Sequence, residues 1–207
     1  MNDIYELILN IIQNHSKNKM MTFDFKLGIK EFCYSFNNKI AINDFKRILT
    51  YVKKNYNQKD IIYYKYRNYY DGNKILSSCE NGQQKCISKH PIELNILNKN
   101  IYVSVTKRKT LPSHLFTCNK LYDYIQDEEI ISVNIRKLFK LNLSVTNQIN
   151  NINTKNYTVG IQFIYNKSKH YDKIASISKI ISFTLEQILK NLNISDESKL
   201  HNKVIKL

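Results

Sequence analysis

Positively charged side chains recur at alternate positions of two predicted strands, "IIYYKYRNYY" and "VSVTKRKT". They are Lys65 and Arg67 in the first strand, and Lys107 and Lys109 in the second. Alternate residues of a strand share a face. If these strands close into a barrel, inward cations would line a polar interior that binds phosphates. The alternative is that these faces are solvated and bind nothing.

Tyrosines accompany the cations in the first of these strands, at positions 63, 64, 66, 69 and 70. Aromatic rings among cations can stack on the bases of single-stranded nucleic acid. The alternative is that tyrosine is simply a good strand former. The pattern therefore leaves a nucleic-acid-binding module open.

The whole chain is basic, with 32 Lys and Arg against 17 Asp and Glu and a formal charge of +15. Such a charge favours RNA or another polyanion as a partner. The alternative is a compositional bias of an AT-rich genome, since Asn, Lys, Ile and Tyr are abundant throughout. In that case the chain would be a structural or interaction protein that neither binds nucleic acid nor hydrolyses phosphate.

Other chemistries find little support in the sequence. No GxSxG motif is present, and four scattered glycines cannot form a phosphate-binding loop. The four cysteines form no CxxC pair, and Cys79, Cys86 and His90 make only a weak metal motif. No stretch approaches the length of a membrane span, so we expect a soluble, cytoplasmic protein without a membrane partner.

Helices are predicted at 3–15, at 43–55 with Asn43 as the cap, and at 171–193, because apolar residues recur there at helical spacing. Short alternating strands bounded by turns fill the remainder, with a shift of period near Gly28 that indicates a bend or bulge. We predict one α+β domain over 1–207, with an N-terminal helix in 1–20 and a C-terminal helix and tail in 171–207. Its sheet is expected to be an antiparallel barrel or tunnel of about eight short strands, with one helix after the first strand.

The last predicted strand, "NYTVGIQFIYNKSK", has one apolar face and one unusual face. The unusual face carries Thr158, Gly160 and Gln162. A glycine inside a strand marks a bulge or a close approach by another group.

Four stretches together resemble a known pattern. They are "EFCYSFNN" before the second helix, the segment from Ile87 to Pro112, "KLNLSVT", and "YTVGIQFIYNKS" before the last helix. Their order resembles the tunnel-type metal-dependent RNA 5'-triphosphatases of viral and fungal mRNA capping, over roughly residues 25–192.

The motifs are degenerate in this comparison. Glu31 matches the first acid of E-x-E-x-x-F, whereas Cys33 stands at the second. Lys89 takes a basic position, and Lys140, Asn142 and Ser144 replace Arg, Asp and Thr of the third motif. Thr158, Gly160 and Gln162 stand where the family has carboxylates in Y-E-x-E-x-E.

The resemblance implies a phosphate tunnel with a degraded metal site. Related enzymes bind Mg²⁺ or Mn²⁺ with these acids and neutralise the triphosphate with inward Lys and Arg. Together with the alternating cations of the strands, it predicts phosphate or RNA contacts for Lys65, Arg67, Lys89, Lys107, Lys109 and Lys140. It leaves Glu31 as the remaining metal ligand.

We therefore expect a viral capping-associated protein that is inactive or weakly active. It would bind RNA 5' ends or other capping-enzyme subunits in the host cytoplasm or the virion. An active enzyme would need Mg²⁺ or Mn²⁺, and Glu31→Ala would reduce its phosphate release.

Overall fold

The computed structural model describes residues 2–30, 36–79, 84–98, 100–112, 122–149 and 155–191. Its helices are α1 (Asn2–Asn14), α2 (Ile42–Asn55), the single turn α3 (Lys167–His170) and α4 (Ile174–Asn191). Its strands are β1 (Met20–Leu27), β2 (Ile29–Lys30), β3 (Phe36–Asn37), β4 (Ile61–Asp71), β5 (Lys74–Cys79), β6 (Gln84–Asn98), β7 (Ile101–Leu111), β8 (Tyr124–Ile135), β9 (Phe139–Gln148) and β10 (Lys155–Asn166).

Eight of the strands form a closed antiparallel barrel in the order β1-β10-β9-β8-β4-β5-β6-β7. The first strand closes it, since β1 pairs with β10 on one side and with β7 on the other. β2 and β3 form a separate two-stranded ladder. The predicted α+β class, the barrel, and the N-terminal, second and C-terminal helices are confirmed.

The hydrophobic core lies outside the barrel, between the sheet and the helices. Phe23 and Phe25 of β1 and Phe163 of β10 are completely buried in it. Alternate residues of β7 and β9 join them, and the helices contribute Ile8, Ile12, Ile48, Ile181 and Leu185. Because side chains alternate across a strand, the opposite faces of these strands point into the barrel.

The helices cover one side of the barrel. α1 packs against α4, and α2 packs against α4 and β10. Where α2 packs against β10, the centroids of the Phe45 and Tyr157 rings lie 5.2 Å apart. The predicted Asn43 cap is wrong: α2 begins at Ile42 after Ala41, and no side chain caps it.

Two glycines lie between consecutive strands or within the turn that joins them. The predicted shift at Gly28 separates β1 from β2. Gly72 joins β4 to β5 with φ +55°, a left-handed conformation that glycine adopts without a Cβ penalty. Within the described residues, no helix has the length and apolar character needed to cross a membrane.

Candidate functional site

A polar cavity of about 480 Å³ runs inside the barrel, and we call it the tunnel. Among the described residues, its charged lining consists of five basic residues, Lys26, Lys85, Lys89, Arg108 and Lys140, and two acidic residues, Asp24 and Glu128. These side chains carry a formal excess of three positive charges. An interior with this charge attracts anions.

Asp24 lies in the tunnel with hydrogen bonds accepted by both of its carboxylate oxygens. Arg108 Nη2 donates to Oδ2 at 2.9 Å, and Gln162 Nε2 donates to Oδ1 at 2.8 Å. Three strands supply this cluster, since β1 lies between β7 and β10. Arg108 Nε is buried without a hydrogen-bond partner, so the guanidinium keeps a donor to spare.

Lys89 lies beside this cluster on β6, in register with Arg108 of β7. Burial, and next the nearby Arg108 charge, lower its pKa from 10.5 to about 8. Asp24 and Glu128 oppose this effect, while Lys26 adds to it. A bound anion would relieve the cost of this buried charge.

The β4 wall of the tunnel is aromatic. Tyr64 and Tyr66 stack with ring centroids 5.7 Å apart, and Lys140 Nζ lies 5.6 Å from the Tyr64 ring centroid. Farther along β4, Asn68 donates a hydrogen bond to Glu128 at 2.8 Å. The tunnel thus has one side lined by cations and another side lined by tyrosine rings, which can contact an aromatic ring of a ligand.

The three unusual residues of β10 line the tunnel: Thr158, Gly160 and Gln162 all contribute to it. Gly160 pairs in regular register with Lys26 of β1, without a bulge. A Cβ at Gly160 would lie 2.6 Å from the carbonyl oxygen of Phe25. The predicted close approach is therefore present, and the approaching group is backbone.

Two of the six predicted phosphate-binding cations, Lys89 and Lys140, line the tunnel. Lys107 and Lys109 are exposed on the face of β7 opposite Arg108, and Lys65 is exposed on β4. The expectation that these cations point inward is wrong, because the alternation places Tyr64, Tyr66 and Arg108 inside instead.

Arg67 also lies on the outer face, where it pairs with a carboxylate. Its Nε and Nη2 donate to the two oxygens of Asp127 at 2.7 and 3.0 Å. This hydrogen bonding lowers the pKa of the Asp127 carboxyl below its usual range. The role of all these outer cations in RNA binding stays a prediction.

The sequence reasoning missed Asp24, Lys26, Lys85, Arg108 and Glu128 as tunnel residues. A signal was present for the first two, since Asp24 and Lys26 alternate with the buried Phe23, Phe25 and Leu27. The proposed metal ligand Glu31 and the degenerate position Cys33 lie outside the described residues. The strand that pairs with β10 ends before them, at Leu27.

The described residues do not suit the Mg²⁺ or Mn²⁺ that the resemblance implies. Among them, no three His, Cys, Asp or Glu side chains group closely enough to hold a metal ion. Asp24 already accepts two donors, and β10 contributes only neutral groups. Hard divalent cations prefer several oxygen ligands, preferably carboxylates.

Comparison with solved structures agrees with this architecture. The RNA triphosphatase Pct1 of S. pombe superimposes with a TM-score of 0.73 at 11% identity, over 90% of this chain and 92% of that one. The Mimivirus capping enzyme triphosphatase gives a TM-score of 0.60 at 15% identity, over 93% and 96%. Neither a protein-family profile nor a curated protein matches the sequence. The chain therefore has the fold of the tunnel-type RNA triphosphatases, as the resemblance predicted.

Proposed function

We propose that this domain binds the 5'-phosphates of RNA in its tunnel as part of an mRNA capping apparatus, with weak or no hydrolysis. The observation that carries the proposal is the charge of the tunnel, where five basic side chains face two acidic ones. Phosphates bind such cations through charge-assisted hydrogen bonds. The fold shared with RNA triphosphatases supports the choice of an RNA 5' end as the ligand.

Weak hydrolysis follows from the chemistry of the lining. Water attack on a terminal phosphate needs charge neutralisation and a group that positions the water. Lys89, Arg108 and Lys26 can neutralise a triphosphate. Thr158, Gly160 and Gln162 offer no carboxylate to hold a metal, so the cations would bind the ligand without driving the reaction.

The proposal extends to partners and origin. Pct1 has been solved in complex with the Spt5 CTD, and we propose that this domain likewise works with another protein of a capping apparatus. A viral origin, with action in the host cytoplasm or the virion, fits the likeness to the Mimivirus enzyme. The alternative module, an open sheet with outward tyrosines, finds less support because the sheet is closed and Tyr64 and Tyr66 line the tunnel.

The first test compares fluorescent RNA of one sequence with a 5'-triphosphate or a 5'-hydroxyl end, by anisotropy titration. We expect the protein to bind the triphosphate RNA more tightly. Lys89→Met should weaken that binding at least about tenfold, since a charged hydrogen bond contributes about 1.5–3 kcal/mol. Lys65→Met, on the outer face, is the matched control and should leave the preference intact.

Equal affinity for the two RNAs would contradict the proposal and favour the general nucleic-acid-binding module. Rapid Mg²⁺- or Mn²⁺-dependent phosphate release from the triphosphate RNA would contradict the inactive state. That release would place the missing ligands among residues such as Glu31.

A further inference from the structure

The tunnel already contains a cation at its principal carboxylate. Arg108 is bonded to Asp24, and the side chains of both residues are largely shielded from water, with relative exposures of 23% and 18%. Gln162 occupies the remaining Asp24 oxygen with a donor group. A divalent ion at Asp24 would have to displace both partners.

The charges around Asp24 oppose such a displacement. Lys26 lies on the same face of β1 as Asp24, and Lys89 lies close enough for its pKa to respond to Asp24, Arg108 and Lys26. Glu128 is the one other acid in the described lining, and it accepts a hydrogen bond from Asn68. A doubly charged cation would therefore enter a site that is already positive.

The backbone also limits the supply of carboxylates. At Gly160, even a Cβ would lie 2.6 Å from the Phe25 carbonyl oxygen, so no acidic side chain fits there without movement of β1 against β10. The neighbouring inward positions carry Thr158 and Gln162. Acids are therefore absent from this face for two reasons: the strand packing leaves no space at Gly160, and the neighbouring residues are neutral.

We infer that Arg108 serves in place of a metal ion, and that the tunnel binds a terminal triphosphate without any divalent cation. This inference rests on the proposed function and specifies how the same site holds its ligand. Arg108 keeps its bond to Asp24 through Nη2, and N–H groups of its guanidinium that face the tunnel donate to a phosphate oxygen. Guanidinium groups are well suited to such paired contacts with carboxylate and phosphate.

The test titrates wild-type protein with 5'-triphosphate RNA in excess EDTA and in millimolar Mg²⁺ at matched ionic strength. We expect full binding in EDTA and no more than about a twofold gain with Mg²⁺, because the site presents cations rather than metal ligands. Isothermal titration with inorganic tripolyphosphate in EDTA should give the same result without RNA.

Two variants separate a cation role from a metal-ligand role. Arg108→Gln should weaken binding in EDTA by at least about tenfold, as expected for loss of a charged hydrogen bond. Asp24→Asn should leave the gain in affinity with Mg²⁺ at no more than about twofold, because Asp24 holds Arg108 and binds no metal. Arg67→Gln, which breaks the outer Arg–Asp pair, is the matched control and should leave the affinity for tripolyphosphate unchanged.

The outcomes distinguish this inference from the proposed function. Triphosphate binding that disappears in EDTA and returns with Mg²⁺ would overturn the inference and leave the proposed function standing. Loss of Mg²⁺-dependent binding in Asp24→Asn would overturn it in the same way. Absence of triphosphate-specific binding under both conditions would overturn the proposed function itself, and this comparison uses wild-type protein that needs no variant to fold.

Discussion

Burial disfavours the charged form of Lys89. The resulting loss of folding stability can be measured from the pH dependence of the free energy of unfolding. The pKa of Lys89 is about 8 in the folded chain against 10.5 for the free side chain. Between these pH values the unfolded state binds more protons, so stability due to this group rises with pH. Below about pH 8 both states are protonated and the full cost is present.

We therefore expect Lys89→Met to raise the free energy of unfolding at pH 7 by roughly 1–3 kcal/mol, with a smaller gain near pH 10. Urea unfolding at the two pH values measures the difference. Lys65→Met, at an exposed strand position, should change stability little at either pH. An equal effect of Lys89→Met at both pH values would show that packing, rather than charge, is responsible.

Gln162 offers a second prediction at the scale of one residue. Gln162→Glu would place a second carboxylate beside Asp24, with which it is paired across β1 and β10. Two neighbouring carboxylates form the beginning of a divalent-ion site. We expect Mn²⁺ to raise the melting temperature of the variant, with no comparable shift for wild type.

The control for this prediction is Gln13→Glu, at an exposed position of α1. It adds the same charge on a helix turn whose sequence neighbours include no acid, and Mn²⁺ should not stabilise it. A wild-type protein stabilised by Mn²⁺ to the same degree would contradict the view that the tunnel lacks metal ligands.

The elements of this chain follow closely from its pattern. The period of 3.6 located the three longer helices to within a few residues, since apolar residues recur on one face. The period of two located the strands for the same reason. The Asn43 cap failed because helix ends depend on local backbone geometry, which one residue type does not determine.

At the scale of the elements, the pairing of β10 with β1 determines what a side chain at position 160 would contact. A glycine-to-alanine change often stabilises a protein by about 0.4–1 kcal/mol through the unfolded chain. At Gly160 we expect the opposite, a loss of about 1–3 kcal/mol, because the new Cβ would overlap the Phe25 carbonyl.

Thermal or urea unfolding of Gly160→Ala measures this loss. Thr158→Ala on the same face of β10 is the matched control. It should change stability less, because alanine is smaller than threonine and needs no new space. A stable Gly160→Ala variant would mean that β1 and β10 separate easily enough to admit larger side chains, including acids.

At the scale of the whole molecule, the tunnel accounts for only part of the positive charge. The described lining contributes an excess of three, against +15 for the chain. Salt-sensitive RNA binding would therefore not by itself locate the site, since outer residues such as Lys65 and Lys107 also attract phosphates. The comparison of RNA ends is the measurement that separates tunnel binding from surface binding.

The sequence by itself determined the helices, the strands, the basic character and the neutral face of the last strand. Each of these follows from residue types and local spacing. Only the tertiary structure decided which face of each strand points into the tunnel. Lys65 and Tyr64 alternate on β4, and nothing local says which one is inside.

Closure of the barrel settles that choice. The apolar faces of β1, β9 and β10 are buried against the helices, and the pairing of β4 with β5 and β8 sets its orientation in the closed sheet. Closure also joins β7, β1 and β10, and so brings Arg108, Asp24 and Gln162 together from distant parts of the chain. Such contacts depend on sheet order and register, which local spacing does not specify.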